Sequence, residues 1–376
     1  MHDNILDIIW NISLICPWDC EFCCTDAVHV KSMNGEIIAK EHSLRSVHSV
    51  DKQLIEIFQS KYPDINPTKY DLALLDRQLL GKEPTYEEKV SILQHLKGYE
   101  VKIDFAGGDP LACYENFLII KKASEIFGKE SISITSTGVF IKRYGIEEVA
   151  SIIGEYEFTY DQAPLGTQGF RPAGYNFSNL KLASEFATLG IRTKAQLPLH
   201  SQNFSKDNAQ AIYSELCKHN IDEVLIMRLF PVGRGQGNLM NSYISKDKLI
   251  LGIQNYKALS REEGTKVRLQ CALRHLLDVS DSNPCDLMQG SYGINFSGKL
   301  LISAWANNSM GRPLSEDFVL GDLKKEYFKH ISETEKFKRY TERLDENFGH
   351  CKVFAYLASK NKNEDAIFSN LDPIYV

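Results

Sequence analysis

The sequence lacks the features of a membrane or exported protein. No apolar run in its 376 residues approaches the length of about 20 residues that spans a bilayer. The first ten residues, MHDNILDIIW, have no basic stretch ahead of an apolar one, so no signal peptide is expected. A net charge of -6 offers no positive excess to attract nucleic acid or anionic lipid. We therefore expect a cytoplasmic protein that binds neither a membrane nor nucleic acid.

Cysteine is the residue type whose placement is informative. The nine cysteines, an odd number without an export signal, indicate reduced thiols and metal ligation rather than a disulfide framework. Cys16, Cys20 and Cys23 stand in the spacing C-x3-C-x2-C. Three such thiolates can each bind a different iron of a cubane cluster and leave the fourth iron open. A zinc knuckle is the alternative, but zinc sites usually combine paired C-x2-C motifs or Cys/His sets, and only His29 follows nearby.

A glycine-rich motif follows about eighty residues later. The segment VKIDFAGGDPL, residues 101–111, reads as a buried strand that ends in Gly107-Gly108-Asp109-Pro110. Two glycines let the backbone approach a ligand closely and adopt positive φ. Most glycine turns only reverse the chain, so the motif gains its meaning from the cysteine loop that precedes it.

Together the two motifs resemble the signature of the radical S-adenosylmethionine (SAM) enzymes. The resemblance implies that SAM binds the open iron of a [4Fe-4S] cluster, that Phe22 packs near the adenine, and that the 107–110 turn matches the family's GGEP turn, with Asp109 in place of Glu. It also implies that carbonyls of this turn receive the methionine ammonium. The implied chemistry is reductive cleavage of SAM to methionine and a 5′-deoxyadenosyl radical, which abstracts hydrogen from a substrate.

The order of predicted elements favours an α/β fold with a parallel sheet, because strands and helices alternate. Strands are predicted at 7–15, 101–106, 131–138, 154–161, 191–199 and within 223–235. A helix is predicted over 116–127, and another has Ser178 as its N-cap, Leu182, Phe186 and Leu189 on one face, and Gly190 at its end. Residues 44–98 read as a helical insertion. The family's fold is a partial (β/α)6 TIM-type barrel, and the six strands match it.

Ligand sites in such barrels lie where the strands end. Polar candidates for binding the cofactor are therefore Ser136 with Thr137 after the third strand, Asp161 after the fourth, Gln196 on the fifth and Arg228 on the sixth. For each of them, a hydrogen bond within the barrel or a helix cap is the alternative interpretation. That alternative is favoured for Ser136 and Gln196.

Residues 1–235 are predicted to form the core domain and residues 236–376 a smaller α+β domain. The passage RLFPVGRG, residues 228–235, resembles strand six of radical SAM enzymes that carry a SPASM or twitch domain. Its Arg234 is either a basic group near the barrel mouth or a solvated surface arginine. Residues 285–305 resemble the β-hairpin of those domains, with the turn at Ser297-Gly298.

The cysteines of the C-terminal part suggest a second cluster. Cys271, Cys285 and Cys351, with His350 or Cys217 as a fourth ligand, would hold one auxiliary cluster. The alternative is a degenerate domain that keeps the hairpin and has lost its cluster, since the seven cysteines of a full SPASM domain are absent.

Three further thiols are not among the three principal cysteine ligands of either expected cluster. Cys24, Cys113 and Cys217 are candidates for a hydrogen-atom donor to a product radical, although buried structural thiols are commoner. The expected substrate is a peptide or another natural-product precursor, including a small molecule, with an external one-electron donor of the flavodoxin or ferredoxin type. An iron–sulfur electron-transfer protein and a zinc-stabilised binding protein remain as alternatives.

Overall fold

A computed structural model describes residues 5–41, 46–51, 53–162, 171, 174–238, 244–261, 264–277, 285 and 287–375. The strands are β1 Ile5–Ser13, β2 Ile15–Cys16, β3 Val28–Met33, β4 Glu36–Glu41, β5 Ser46–Val50, β6 Glu100–Gly107, β7 Ile132–Thr135, β8 Glu155–Thr159, β9 Arg192–Leu199, β10 Glu223–Arg228, β11 Lys266–Leu269, β12 Ser291–Ile294, β13 Lys299–Leu301 and β14 Val319–Asp322.

The helices are α1 Leu54–Lys61, α2 Lys69–Leu79, α3 Tyr86–His95, α4 Tyr114–Phe127, α5 Ile141–Tyr144, α6 Ile146–Ile152, α7 Tyr175–Thr188, α8 Lys206–Lys218, α9 Gly235–Asn238, α10 Lys246–Lys257, α11 Phe328–Ser332, α12 Glu335–Glu342, α13 Lys352–Ala358 and α14 Glu364–Phe368. In the ranges given above, no helix combines the length and the apolar character that a bilayer crossing requires.

A ten-stranded sheet organises the molecule, in the order β11-β10-β9-β8-β7-β6-β1-β12-β13-β14. β1 and β6 through β10 pair in parallel, and these are the six strands that the sequence predicts. Side chains alternate along each strand. On β6, Val101, Ile103 and Phe105 are buried in the apolar core, whereas Asp104 and Ala106 line the barrel interior. Polar side chains of the strands therefore collect inside the barrel.

The C-terminal part of the chain adds strands to both edges of this barrel sheet. β11 pairs in parallel with β10, and β12 pairs in parallel with β1. The predicted hairpin is present as the antiparallel pair β12–β13, and Gly298 in its turn has a φ of +82°. Strands on both sides of the predicted division at residue 235 thus share one sheet, and the division into two domains stays a prediction.

A second sheet of four strands, β2-β3-β4-β5, precedes the helices α1 to α3. The predicted insertion, 44–98, contains those three helices, but it also contains β5, Ser46–Val50. The hairpin β3–β4 did not follow from our reading of the sequence, although Asn34-Gly35 is a strong signal for a two-residue hairpin turn. Both residues have positive φ, +52° and +79°.

The predicted start of α7 is wrong. The helix begins at Tyr175 after Gly174 as the N-cap, and the Ser178 hydroxyl donates to the Gly174 carbonyl inside the first turn. Gly174 has a φ of +82°, a conformation that glycine adopts at little cost, so the helix starts earlier than the serine suggests. The buried face consists of Tyr175, Asn179, Leu180, Ala183 and Phe186. Leu189 is 44% exposed, and Gly190 follows it with positive φ.

Candidate active site

One cavity of about 180 Å³ brings the two sequence motifs together. It lies where the parallel strands end, as the barrel rule predicts. The thiols of Cys16, Cys20 and Cys23 line it, and so do Gly107 and Gly108. The remaining lining includes Trp18, Phe22, Cys24, Thr135, Ser136, Thr137, Arg171, Tyr175, Gln196, Met227, Arg228, Phe230 and Trp305.

The cysteine loop presents its sulfurs to hydrogen-bond donors. The Cys23 Sγ accepts from the Ala27 amide at 3.3 Å and lies 3.4 Å from the Thr25 hydroxyl. Burial raises the pKa of Cys16 well above its ordinary value, and it raises the pKa of Cys20 to about 11, against the opposing effect of Arg171. Thiols in such surroundings ionise when a metal cation binds them. The donor set therefore suits an iron–sulfur cluster.

The three sulfurs do not converge on one ion. Among the residues that the structure describes, no three His, Cys, Asp or Glu side chains are grouped so that they could hold a single metal ion. Thiolates of a cubane cluster each bind a different iron, so they need no common point. His29, the other candidate of the zinc interpretation, lies 3.4 Å from Asp19 through its Nδ1.

The glycine turn packs on the strand that leads into the cysteine loop. The Gly108 amide donates to the Ser13 carbonyl and the Asp109 amide to the Ile15 carbonyl, each at 2.8 Å. A Cβ on Gly108 would lie 2.2 Å from the Ile15 oxygen, so only glycine fits there. The Thr25 hydroxyl of the cysteine loop donates to the Gly107 carbonyl at 3.2 Å. The glycine turn and the cysteine loop are therefore in direct contact.

Asp109 fastens this turn to the end of β7. Its buried carboxylate accepts from the amides of Leu111 and Thr137, both at 2.9 Å, and from the hydroxyls of Ser136 and Thr137. Burial raises the pKa of Asp109, and its hydrogen bonds oppose the shift. Ser136 lines the cavity as predicted. Its hydroxyl, however, donates to the Asp109 carboxylate, which is the hydrogen bond within the barrel that the alternative interpretation expects. Pro110 is buried beside it.

Asp161 lies at the end of the fourth barrel strand with a partner that sequence reasoning missed. The Arg171 Nε donates to the Asp161 carboxylate at 2.7 Å, and the Arg171 Nη1 lies 3.8 Å from the Cys20 Sγ. The Asp161 carbonyl accepts from His200 and Asn203. Nothing in the sequence around Arg171 distinguishes it from a surface arginine.

Gln196 belongs to a polar network inside the barrel. Its amide donates to the Glu157 carboxylate at 2.8 Å and to the Thr135 hydroxyl at 3.3 Å. Thr135 in turn donates to Asp104 at 2.9 Å, and Lys194 forms an ion pair with Glu157 at 2.7 Å. Burial raises the pKa of Asp104 to about 6. Gln196 thus has partners within the barrel, as its alternative interpretation expects.

Both arginines of RLFPVGRG pair with carboxylates of the protein itself. The Arg228 guanidinium lines the cavity, but it pairs with Asp372 and lies 3.4 Å from the centre of the Phe354 ring. Arg234 is 6% exposed, which contradicts the interpretation as a solvated surface arginine. It donates to Asp26, Asp19 and the carbonyls of Cys20 and Ala27, and so clamps the cysteine loop.

A second cavity, of about 460 Å³, holds the C-terminal cysteines. Cys271, Cys285 and Cys351 all line it, and it shares Trp305 and Phe230 with the first cavity. The ring of Trp305 stacks on Phe230 with centroids 4.8 Å apart. The structure thus brings together the three thiols predicted for an auxiliary cluster.

In the described part of the chain, neither cavity is lined by the proposed fourth ligands or by two of the three candidate hydrogen donors. The His350 Nδ1 accepts from the Asp372 amide at 2.9 Å. Cys217 lies on α8 beside Tyr213 and Thr265, and it is not among the described residues that line either cavity. The Cys113 thiol is buried and donates to the Tyr70 carbonyl at 3.3 Å. Of the three candidate donors, Cys24 alone lines the first cavity in the described part of the chain.

Comparison with models of protein families and with curated proteins found no match. Solved structures do match. The structure of anSMEcpe with bound AdoMet has a TM-score of 0.55 at 13% identity, covering 90% of this chain and 83% of that one. The complex of anSMEcpe with AdoMet and the Cp18Cys peptide gives 0.56 at 12%, covering 97% and 88%. Streptococcus suis SuiB bound to S-adenosylmethionine gives 0.56 at 14%, covering 91% and 69%.

Both proteins are radical SAM enzymes. Identities this low establish a likeness of fold, and that likeness extends over most of the chain. The predicted partial (β/α)6 barrel is therefore confirmed, and the chain shares its fold with these two proteins.

Proposed function

We propose that this protein is a radical SAM enzyme that modifies a peptide. The observation that carries the proposal is the single cavity lined by Cys16, Cys20 and Cys23 together with the Gly107-Gly108 turn. Three thiols and a glycine turn on one cavity wall are what a cluster with one open iron and its SAM ligand require. The solved structures of similar fold contain AdoMet, which agrees with this assignment.

The residues of the cavity have separate tasks in this proposal. Cys16, Cys20 and Cys23 would hold the cluster, and the carbonyls of Gly107 and Gly108 would receive the amino group of SAM. Phe22 would pack near the adenine. A cluster bound there would supply the electron for reductive cleavage of SAM to methionine and a 5′-deoxyadenosyl radical. The stacked rings of Phe230 and Trp305 line the same cavity and would help to exclude water from the reaction.

A peptide is the favoured substrate. The anSMEcpe complex holds the Cp18Cys peptide besides AdoMet, and its fold covers nearly all of this chain. An external one-electron donor of the flavodoxin or ferredoxin type would deliver the electron to the cluster. Whether the peptide is cross-linked, epimerised, oxidised or dehydrated depends on groups of the substrate itself.

An auxiliary cluster in the second cavity completes the proposal. Cys271, Cys285 and Cys351 line that cavity, and burial raises the pKa of Cys351 to about 12, with the thiol of Cys285 adding to the shift. Neighbouring thiols that are costly to ionise become thiolates when a metal binds. Counting iron per chain before and after substitution of Cys285 by alanine separates one cluster from two.

The test is formation of 5′-deoxyadenosine by anaerobically reconstituted protein with SAM and dithionite. The nucleoside should appear with the wild type and disappear when Cys16, Cys20 or Cys23 is changed to alanine. Cys217→Ala is the matched control, since this thiol lies away from both cavities. Iron that loads without SAM cleavage would instead support an electron-transfer protein, and failure to load iron would support a zinc-stabilised binding protein.

A further inference from the structure

Arg171 connects the cysteine loop to Asp161. Its Nη1 lies 3.8 Å from the Cys20 Sγ, a distance at which an N–H group donates to sulfur. On the other side, its Nε donates to the Asp161 carboxylate at 2.7 Å. One guanidinium thus touches both a predicted ligand of the cluster and a carboxylate.

The position of this guanidinium is fixed by its surroundings. The Arg171 side chain is 12% exposed and that of Asp161 is 3% exposed. The rings of Phe22 and Tyr175 lie 5.1 Å and 5.0 Å from the guanidinium carbon, within the range of a cation–π interaction. Asn176 donates to the second oxygen of Asp161 at 3.3 Å. Arg171 is therefore held in place on several sides.

A buried positive charge beside a ligand sulfur changes the energy of adding an electron. Hydrogen bonds to the sulfurs and the local net charge are among the protein's means of setting the potential of an iron–sulfur cluster. Reduction of [4Fe-4S]2+ to [4Fe-4S]+ adds one electron and changes no covalent bond, so a nearby cation favours the product. The carboxylate of Asp161 partly cancels that effect, because it neutralises the same guanidinium.

We propose that Arg171 is a positioning residue that donates a hydrogen bond to Cys20 and raises the reduction potential of the cluster, with Asp161 limiting the rise. The inference rests on the cluster of the proposed function. It adds a residue that controls how readily that cluster accepts an electron from the external donor. A role confined to holding the loop would not depend on the charge of the pair.

The experiment is a redox titration of the reconstituted full chain with dithionite, followed by electron paramagnetic resonance of the reduced cluster. Arg171→Met removes the donor and the charge, so the midpoint potential should become more negative. Asp161→Asn leaves Arg171 in place without its counter-ion, so the midpoint should become more positive. Arg171→Lys keeps the charge and should lie closer to the wild type than Arg171→Met.

Arg192→Met is the matched control, because Arg192 also pairs with a carboxylate, that of Glu155, but is 68% exposed. Its midpoint should equal that of the wild type. Unchanged midpoints in both Arg171→Met and Asp161→Asn overturn the inference, and so do shifts of the same sign. If Arg171→Met binds no cluster, the sign of the Asp161→Asn shift decides. A wild type that binds no cluster overturns the proposed function instead.

Discussion

Replacing Gly107 by alanine tests whether the glycine turn supports the strand that leads into the cysteine loop. Gly107 has a φ of +118°, and a Cβ there would lie 2.4 Å from the Ser13 oxygen and 3.2 Å from the Asn11 Cα. Both are backbone atoms of β1, so no flexible side chain can move aside. Gly98 provides the matched control: its φ is +97°, and a Cβ would meet nothing within 4 Å.

The two substitutions separate backbone strain from displacement of the strand. Gly98→Ala should lower the free energy of unfolding by about 1–2 kcal/mol, because alanine is strained in the left-handed conformation. Gly107→Ala carries a similar strain and also forces backbone atoms apart, which should lower the free energy of unfolding by about 1–3 kcal/mol more. Urea unfolding of the cluster-free protein measures the difference between the two free energies of unfolding.

Iron content after reconstitution gives the second readout for the same pair. Because β1 leads through Leu14 and Ile15 to Cys16, Gly107→Ala should bind less iron per chain, and Gly98→Ala should bind as much as the wild type. Equal losses of stability in the two variants, with equal iron, would refute the idea that close packing on β1 is what requires Gly107.

Three other predictions concern side chains around the barrel. Arg234→Met should lower the free energy of unfolding in urea by about 3–5 kcal/mol, because it leaves the buried Asp26 carboxylate without its partner. The exposed Arg192→Met should lower it by at most about 1 kcal/mol. Similar losses in the two variants would argue that Arg234 does not stabilise the cysteine loop. Burial raises the pKa of Asp104 to about 6, above an unfolded value of about 3.9. The folded state then binds a proton that the unfolded state has released, so the free energy of unfolding should fall between about pH 4 and pH 6 and level off above; urea titrations should show a shallower fall for Asp104→Asn. Cys113→Ala should leave formation of 5′-deoxyadenosine unchanged, because the buried Cys113 thiol donates to the Tyr70 carbonyl and is not among the described residues that line the first cavity; loss of 5′-deoxyadenosine would show that this thiol supports the SAM site.

The elements that could be predicted are those whose pattern is local. The strand β9 alternates buried Thr193, Ala195, Leu197 and Leu199 with residues that are more exposed, three of which are polar, and a period of two is the sequence signal of such a strand. The cysteine loop and the glycine turn are equally local, since each motif lies within a dozen residues. Their meeting in one cavity followed from the rule that sites gather where parallel strands end.

The contacts that could not be predicted join residues far apart in the chain. Arg171 meets Cys20 across 151 positions, and Arg234 meets Asp26 across 208. An arginine in a loop gives no local sign of which carboxylate or sulfur it will contact. Burial decides such pairings, because an arginine that leaves water needs partners for its charge. The sequence therefore indicated residues that line the cavity but missed the contacts that Arg171 and Arg234 make with the cysteine loop.

The pairing of the C-terminal strands with the barrel sheet explains why the two sets of cysteines line neighbouring cavities. Because β12 pairs with β1, the chain that follows the hairpin carries Trp305 into the barrel, where it stacks on Phe230. Both rings line both cavities, so the cavity of the cysteine loop adjoins the cavity of the C-terminal thiols. The pairing of β12 with β1, rather than the cysteine spacing, therefore sets the relation between the two proposed clusters.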